Sequence, residues 1–547
     1  MPLHDRRAVL RAALTSGTLA AGALALTSPA SAAERTDAAR AAEQRAGRRV
    51  AVIGSGYGGA VAADRLTRRG IPVDLIEMGV DWDSFPKDGG RTFTSMTKPT
   101  SRSVWFETRT DMPFSTLGGF DLINRDVAAG AGVLGIEHFE QMKVYVGRGV
   151  GGGSLVNGGM AVTPDRAFFE QVLPQVDAAQ MYSRYFPEAN RALGVQAPAT
   201  ALVGTAAYYQ FARVAASHAA KAGYRTVPVP NVYDWDHMRR EGHRRAERSA
   251  LAQEVIYGNN HGKKSLTRTL LKKALDTGLV NLTSLTEVTG ITRQEDGAYR
   301  LELKTIDFSG NVLSRSTRVY DRVILAAGSV GTARLLMKAQ HDGGVAGLRG
   351  NDGIGAGWGP NGNTMLARWL GFGTRTGSLQ STIPALGIRA WDGSQNSVFA
   401  EIAPFPAGLE THSNVYLAIT NNPNLARFGW DPARGLSLGW TQQMSQPSVA
   451  AVRAVFDRIN AANPGTRYRG DLFEGGKQFT DYFTYHPLGG AVLGQATDEQ
   501  GEVRGAPGLF VMDGSLIPGK IGVNPFVTIT ALAMRSMDRL LEAGRFS

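Results

Sequence analysis

The apolar run Val50-Ala51-Val52-Ile53 does not alternate with polar residues, which is the pattern of a short parallel strand buried on both faces. Gly54 ends it. A helical pattern follows over 58–69 with Gly70 as its C-terminal stop, and Val73-Asp74-Leu75-Ile76 forms a second strand, completing a β-α-β unit. From 81 to 141 the periodicity lapses into Gly, Pro, Ser and Thr with scattered aromatics such as Trp82, Phe85, Trp105 and Phe106; long stretches of this kind are functional or disordered, and 82–106 is the expected lid. Helical patterns return at 164–172, 201–221 and 264–277, and strands at 299–305 and 323–327. Between 364 and 421, alternating runs such as Ser397-Val398-Phe399-Ala400-Glu401-Ile402 and Asn414-Val415-Tyr416-Leu417-Ala418-Ile419 predict a separate sheet with one covered face. The chain closes with a strand at 509–512, a loop and a helix over 526–541, and shows no internal repeat or heptad.

Composition changes this picture in four places. With 547 residues, 43% of them hydrophobic and 20% charged, the chain has ample length for a core, but 67 glycines exceed ordinary usage and need local explanations. Arg6-Arg7, the apolar stretch 12–26 and Ala30-Ser31-Ala32 fit a signal peptide over 1–32, and Arg11 after the arginine pair gives it a twin-arginine look; secretion of a protein already loaded with a non-covalent cofactor is the expectation. Zero cysteines exclude disulfides, thiolate metal sites and cysteine nucleophiles. The net charge is +11, and its densest basic stretch, Arg239 to Arg248, interleaves acids and lacks aromatic spacing. That stretch reads as a solvated loop, with transient contact to an anionic membrane surface as the alternative and nucleic acid excluded as a partner.

Gly54-Ser55-Gly56-Tyr57-Gly58-Gly59 fits G-x-G-x-x-G between a strand and a helix, and Glu77 ends the next strand 23 residues after Gly54. Gly54 permits the turn, Gly56 lets a pyrophosphate approach the helix N-terminus, and Gly59 allows close helix-strand packing; Glu77 is placed to accept from an adenosine ribose. FAD and NAD share this unit. Gly147-Arg148-Gly149-Val150-Gly151-Gly152-Gly153-Ser154-Leu155-Val156-Asn157-Gly158-Gly159-Met160 is too glycine-dense for a helix or strand, and its apolar residues argue against a solvated linker, so something flat or anionic lies against its backbone.

These stretches, with Phe399-Ala400-Glu401-Ile402-Ala403-Pro404, Tyr485-His486-Pro487-Leu488-Gly489-Gly490 and Gly522-Val523-Asn524-Pro525-Phe526, resemble the glucose-methanol-choline oxidoreductase family, and within it a sterol-oxidising class with non-covalent FAD. The resemblance covers nearly all of the chain beyond the signal segment. It implies an α/β composite: a Rossmann-like FAD domain from 45–82, 265–355 and 500–547, and a substrate domain on a mainly antiparallel sheet with helices from 83–264 and 356–499, whose loop 147–160 touches the flavin. It further implies that Gly54, Gly56, Tyr57, Gly58, Gly59 and Glu77 hold the ADP part of FAD. Gly151, Ser154, Asn157, Gly158, Gly159 and Met160 would run beside the isoalloxazine, and Asp513 and Gly514 would lie near the ribityl and phosphate groups. Asn524, Pro525 and Phe526 would face the pyrimidine end, where a helix dipole favours the charge of reduced flavin.

Alcohol oxidation by flavin removes the hydroxyl proton while a hydride leaves carbon, so polar groups must converge on one oxygen. The resemblance puts His486 there and Asn524 beside it; both precede proline, which favours extended backbone. Taken alone, Asn524 also fits a turn and Glu401 an outward strand position. The resemblance makes Glu401 the base that moves a proton from steroid C4 to C6, after oxidation of the 3β-hydroxyl of a cholesterol-like sterol by O2. Another hydroxyl substrate, another electron acceptor, or a sterol-binding flavoprotein with little catalysis remain alternatives. No metal is needed, and a monomer is expected. Ala491 departs from the family pattern, which has cysteine after the glycine pair, and the 239–248 stretch is more basic.

Overall fold

The computed structural model describes residues 49–546 apart from 113–115, 118–119, 122 and 406–407, so the signal segment 1–32 lies outside the described residues. Five parallel strands, Leu509–Val511, Val323–Leu325, Val50–Ile53, Val73–Ile76 and Val280–Thr283 in that spatial order, form one sheet. The helix Tyr57–Thr67 crosses between its third and fourth members as the sequence pattern requires. Beside it stands a three-stranded antiparallel sheet, Thr286–Arg293, Tyr299–Ile306 and Val312–Tyr320. An α/β composite therefore forms from residues far apart in sequence.

The second large sheet is antiparallel, in the order Arg467–Tyr468, Thr364–Trp369, Ser413–Thr420, Val398–Ala403, Leu386–Ala390, Arg225–Pro228. The alternating pattern led us to expect one covered face, but Ser413–Thr420 is buried throughout. On one face Leu366, Val398, Ala400, Ile402, Tyr416 and Ala418 pack against the helices Gln210–Lys221 and Gln446–Ala461. The other face is covered too: Met365, Ala367, Val415 and Leu417 belong to a cluster with Tyr145, Leu155 and Phe483, and Phe399 and Ile419 to one with Met160 and Val523, beside the cavity described below.

Two expected helices are broken. The 201–221 pattern splits into Thr200–Thr205 and Gln210–Lys221 at extended Ala206, where Arg213 Nη1 donates to the Val203 and Ala206 carbonyls and so satisfies the end of the first piece. The 264–277 pattern starts as a 3₁₀ turn, Leu266–Arg268, whose first N–H is taken by Ser154 Oγ, and becomes α-helical only at Leu270–Leu275. Within the irregular stretch, Leu134–His138 pairs with Lys143–Gly147 as a hairpin that we did not expect.

Glycines set how closely these layers approach. A Cβ on Gly58 would lie 1.3 Å from the Met512 carbonyl oxygen, and one on Gly59 2.0 Å from that of Gly54, whereas one on Gly56 meets nothing within 4 Å. Gly58→Ala should therefore cost at least about 1–3 kcal/mol of stability through overpacking, while Gly56→Ala should stay within about 0.5 kcal/mol; urea unfolding of the two variants checks this, and equal losses would contradict the packing account.

Candidate active site

A cavity of about 380 Å³ runs between the two sheets. At one end it is walled by Gly54, Gly56, Tyr57, Gly58 and Glu77 of the first β-α-β unit, and at the other by Met365, Glu401, Ala403 and Leu417 of the antiparallel sheet. Three helix N-termini open onto it, at Tyr57, Gly328 and Phe526; none is capped by its own N-cap residue, although Gly328 N donates to Asp513. The uncapped N–H groups at Tyr57 and Phe526 suit an anionic ligand.

The glycine-rich loop is locked onto the β-α-β turn. Glu77 accepts from Ser55 N at 3.0 Å, Ser55 Oγ at 2.6 Å and Gly79 N at 2.9 Å, and Gly151 N donates to Ser55 Oγ at 3.0 Å. A Cβ on Gly152 would stand 2.8 Å from Gly56 Cα, so the two loops meet backbone to backbone. Gly56 and Gly153 both line the cavity, and a Cβ on either would have no neighbour closer than 4.0 Å, so packing against the protein does not require glycine at these two positions. A ligand pressed against the backbone would.

Of the residues expected to hold the cofactor, Gly54, Gly56, Tyr57, Gly58, Glu77, Asn157, Gly158, Gly159, Met160, Asp513, Gly514, Asn524, Pro525 and Phe526 line this cavity. Gly59, Gly151 and Ser154 are not in its wall. Gly59 packs on Gly54, and Ser154 Oγ donates to Gly151 O at 2.7 Å while accepting from Leu266 N at 3.1 Å, so the latter two shape the loop from behind. Asp513 has both carboxylate oxygens engaged by protein: one by Ser515 N and Oγ, the other by Gly328 N and Thr332 Oγ1. It joins two cavity-lining turns. Tyr57 stacks on Phe526 at 4.9 Å between ring centroids, and its hydroxyl accepts from Asn157 Nδ2 at 2.6 Å.

His486, Asn524 and Glu401, from three separate segments, line the same cavity. His486 Nδ1 faces the amide nitrogens of Asn363 at 3.0 Å and Asn361 at 3.4 Å, which makes Nδ1 an acceptor and leaves the ring hydrogen on Nε2. Burial pushes the His486 pKa down to about 3, so the ring is neutral. Asn361 also donates to Val523 O and accepts from Ile521 N, each at 2.8 Å, tying the histidine to the loop that carries Asn524.

Glu401 is fully buried, neither of its oxygens makes a hydrogen bond of standard geometry, and burial raises its pKa to about 8 against a smaller opposing pull from the nearby Asn524 amide. Strand alternation places it on the cavity side, opposite Ala400 and Ile402 of the helix-packed face. The outward-facing alternative is thereby removed.

Sequence reasoning missed Asn361, Asn363, Thr484 and Lys263. Asn361-Gly362-Asn363 looks like a turn, and Lys263 sits in a polar run that reads as loop. Thr484 Oγ1 accepts from His486 N and donates toward Asn363 Oδ1, both at 2.9 Å. Lys263 Nζ donates to the Leu155 and Asn157 carbonyls of the glycine-rich loop, and its burial brings its pKa down to about 7.

Three family profiles match this chain: "GMC oxidoreductase" over residues 124–342, "GMC oxidoreductase, C-terminal" over 361–474, and "GMC oxidoreductase" again over 436–533. A cholesterol oxidase of Acinetobacter baumannii is 24% identical over 554 residues, covering 89% of this chain and 93% of the relative. One from Mycobacterium tuberculosis is 24% identical, covering 89% and 90%. A fungal aryl-alcohol oxidase shares the fold at a TM-score of 0.59 and 13% identity over 91% of this chain and 99% of its own. An FAD-dependent oxidoreductase from Chaetomium thermophilum does so at 0.60 and 13%, over 91% and 100%. The family profiles, the relatives and the cavity residues agree: this chain belongs to the GMC oxidoreductase family and is a cholesterol-oxidase-like member of it that uses a flavin cofactor.

Proposed function

We propose that the protein is an FAD-dependent sterol oxidase that holds FAD non-covalently, oxidises the 3β-hydroxyl of a cholesterol-like steroid with O2, and isomerises the 5-ene-3-ketone to the 4-ene-3-ketone. The observation that carries this reading is Glu401: a carboxyl with no hydrogen bond of standard geometry, in a cavity whose nearby wall is built from Met365, Leu417, Ala403 and Pro404. An apolar compartment suits a steroid skeleton, and a carboxyl with a raised pKa suits proton transfer at carbon near neutral pH.

When bound, the flavin supplies the acceptor for the carbinol hydride and the route to O2, with hydrogen peroxide as product. His486, neutral and with its hydrogen on Nε2, donates to the substrate oxygen and orients it. A histidine whose burial so strongly disfavours imidazolium is a poor acceptor for the hydroxyl proton, so that role falls to Glu401 in its ionised form, the minority form below pH 8 and the main one above it. Once that proton has passed to the hydrogen peroxide product, which needs it for balance, the regenerated carboxylate takes a proton from C4 and returns it at C6. Asn524 steadies Glu401 from the side. We read segment 1–32 as an export signal and place the enzyme outside the cell, acting as a monomer; transient contact with a membrane surface would give access to a water-insoluble substrate.

Anaerobic addition of cholesterol should bleach the visible flavin band; bleaching by a small alcohol such as choline but not by cholesterol would instead favour another substrate within the family. Glu401→Gln should slow oxidation yet reduce isomerisation at least about tenfold further, so the unconjugated ketone accumulates, a change on the scale of removing one acid-base group. Equal loss of both activities would overturn the isomerase assignment. Asn363→Asp presents an acceptor to Nδ1, moves the ring hydrogen to that nitrogen, and should lower kcat while flavin stays bound, read from the visible spectrum.

The raised Glu401 pKa also predicts a pH effect on stability. The folded protein keeps a proton that the unfolded chain releases near 4.5, so stability falls as pH rises from 4.5 to about 8. Glu401→Gln should remove up to about 1.4 kcal/mol per pH unit of that slope, measured by urea unfolding across the window.

A further inference from the structure

The cavity wall has a charge pattern that the proposed chemistry does not use. Among the described residues lining it, Arg148 and Arg334 are the only lysine or arginine side chains, against the carboxylates Glu77, Glu137, Glu287, Glu401 and Asp513. Both guanidiniums close on one of these. Glu137 Oε1 accepts from Arg148 Nη2 at 2.5 Å, and Glu137 Oε2 accepts from Arg334 Nη2 at 2.6 Å.

Three separate elements bring the groups together: Glu137 from the strand Leu134–His138, Arg148 from the start of the glycine-rich loop, and Arg334 from the helix Gly328–His341. Glu137 and Arg148 are nearly buried, with side-chain exposures of 16% and 13%, and Arg334 is about one-third exposed. Gly135 makes room for Arg148, since a Cβ there would lie 2.7 Å from its Nε. That Nε is buried without a partner. Burial alone would raise the Glu137 carboxyl, but the two guanidiniums outweigh it and hold it below its ordinary value. The carboxylate thus stays charged, and the cluster carries one net positive charge.

Its location is the dinucleotide end of the cavity. Arg148 Nη1 reaches the Met78 sulfur, next to Glu77, and Arg334 lies on the cavity face of its helix with Gly331 and Leu335. A flavin dinucleotide brings two phosphate charges into a wall that otherwise presents carboxylates. Helix N-termini offset part of that repulsion, each by a fraction of a charge.

We propose that Glu137, Arg148 and Arg334 form a retention clamp for the dinucleotide, in which Glu137 fixes two guanidiniums so that their surplus charge favours the diphosphate-bearing half of the cofactor. The clamp rests on the flavin assignment and acts by positioning, apart from the chemistry at Glu401 and His486. It is distinct from a fastening that merely ties three segments together, because it responds to charge on the ligand.

The test follows FAD release from the holoprotein after dilution, across a salt series, through the rise in free flavin fluorescence, together with riboflavin uptake by protein stripped of flavin. Arg334→Gln should release FAD at least tenfold faster and flatten the salt dependence, and Glu137→Gln should also speed release. Arg334→Lys, which keeps the charge, should stay within threefold of the parent protein. Riboflavin, which has no phosphate, should bind all variants alike. Arg65→Gln, which breaks a buried pair with Glu188 and Asp538 away from the cavity, should leave FAD release unchanged. Unchanged FAD release in Arg334→Gln, parallel loss of riboflavin binding, or equal release from Arg65→Gln would each overturn the clamp. A parent protein that takes up neither FAD nor riboflavin would instead overturn the flavin assignment.

Discussion

The structure depends on a junction where backbone touches backbone. Gly54 abuts the Ala326 carbonyl, Gly58 the Met512 carbonyl, Gly79 the backbone of Gly149, and Gly152 that of Gly56, at separations that no Cβ could enter. Four stretches far apart in the chain therefore meet at the carboxyl ends of the parallel strands, where ligands of open α/β sheets bind. Glu77 and Ser55 hold the meeting point by hydrogen bonds that bind the first turn to the glycine-rich loop. With that contact in place, three helix N-termini share one cavity.

The antiparallel sheet makes the opposite wall, and its burial on both faces gives the site its character. The face packed on helices carries apolar side chains such as Leu366, Val398, Ala400, Ile402, Tyr416 and Ala418. The other face is free to carry function. Glu401 occupies it amid apolar neighbours, and neither of its oxygens makes a hydrogen bond of standard geometry, a departure from the rule that buried polar groups are satisfied. A position so costly in stability is a natural place for a group whose work is to gain and lose a proton.

The histidine shows the converse arrangement. His486 is surrounded by fixed partners: Asn363 and Asn361 set its tautomer, and Thr484 holds its backbone. Asn361 reaches on to the loop bearing Asn524, so His486 and Asn524 share a common support. One side chain is held in a single protonation state while the other is left able to change.

Local sequence determined much of this protein. The β-α-β unit, its glycine turn and the strand bearing Glu401 were legible because period and turn chemistry depend only on near neighbours, and motif resemblance singled out His486 and Asn524, which line the cavity. Tertiary structure decided the rest. It placed Gly151 and Ser154 behind the cavity wall, split the 201–221 helix where Arg213 satisfies its carbonyls, and buried the second face of the antiparallel sheet. It also recruited Asn361, Asn363 and Lys263 from stretches that read as turns and loops, and brought Glu137, Arg148 and Arg334 together. Periodicity reports which face of an element is apolar; which polar groups meet across elements depends on long-range chain geometry, which no local pattern records.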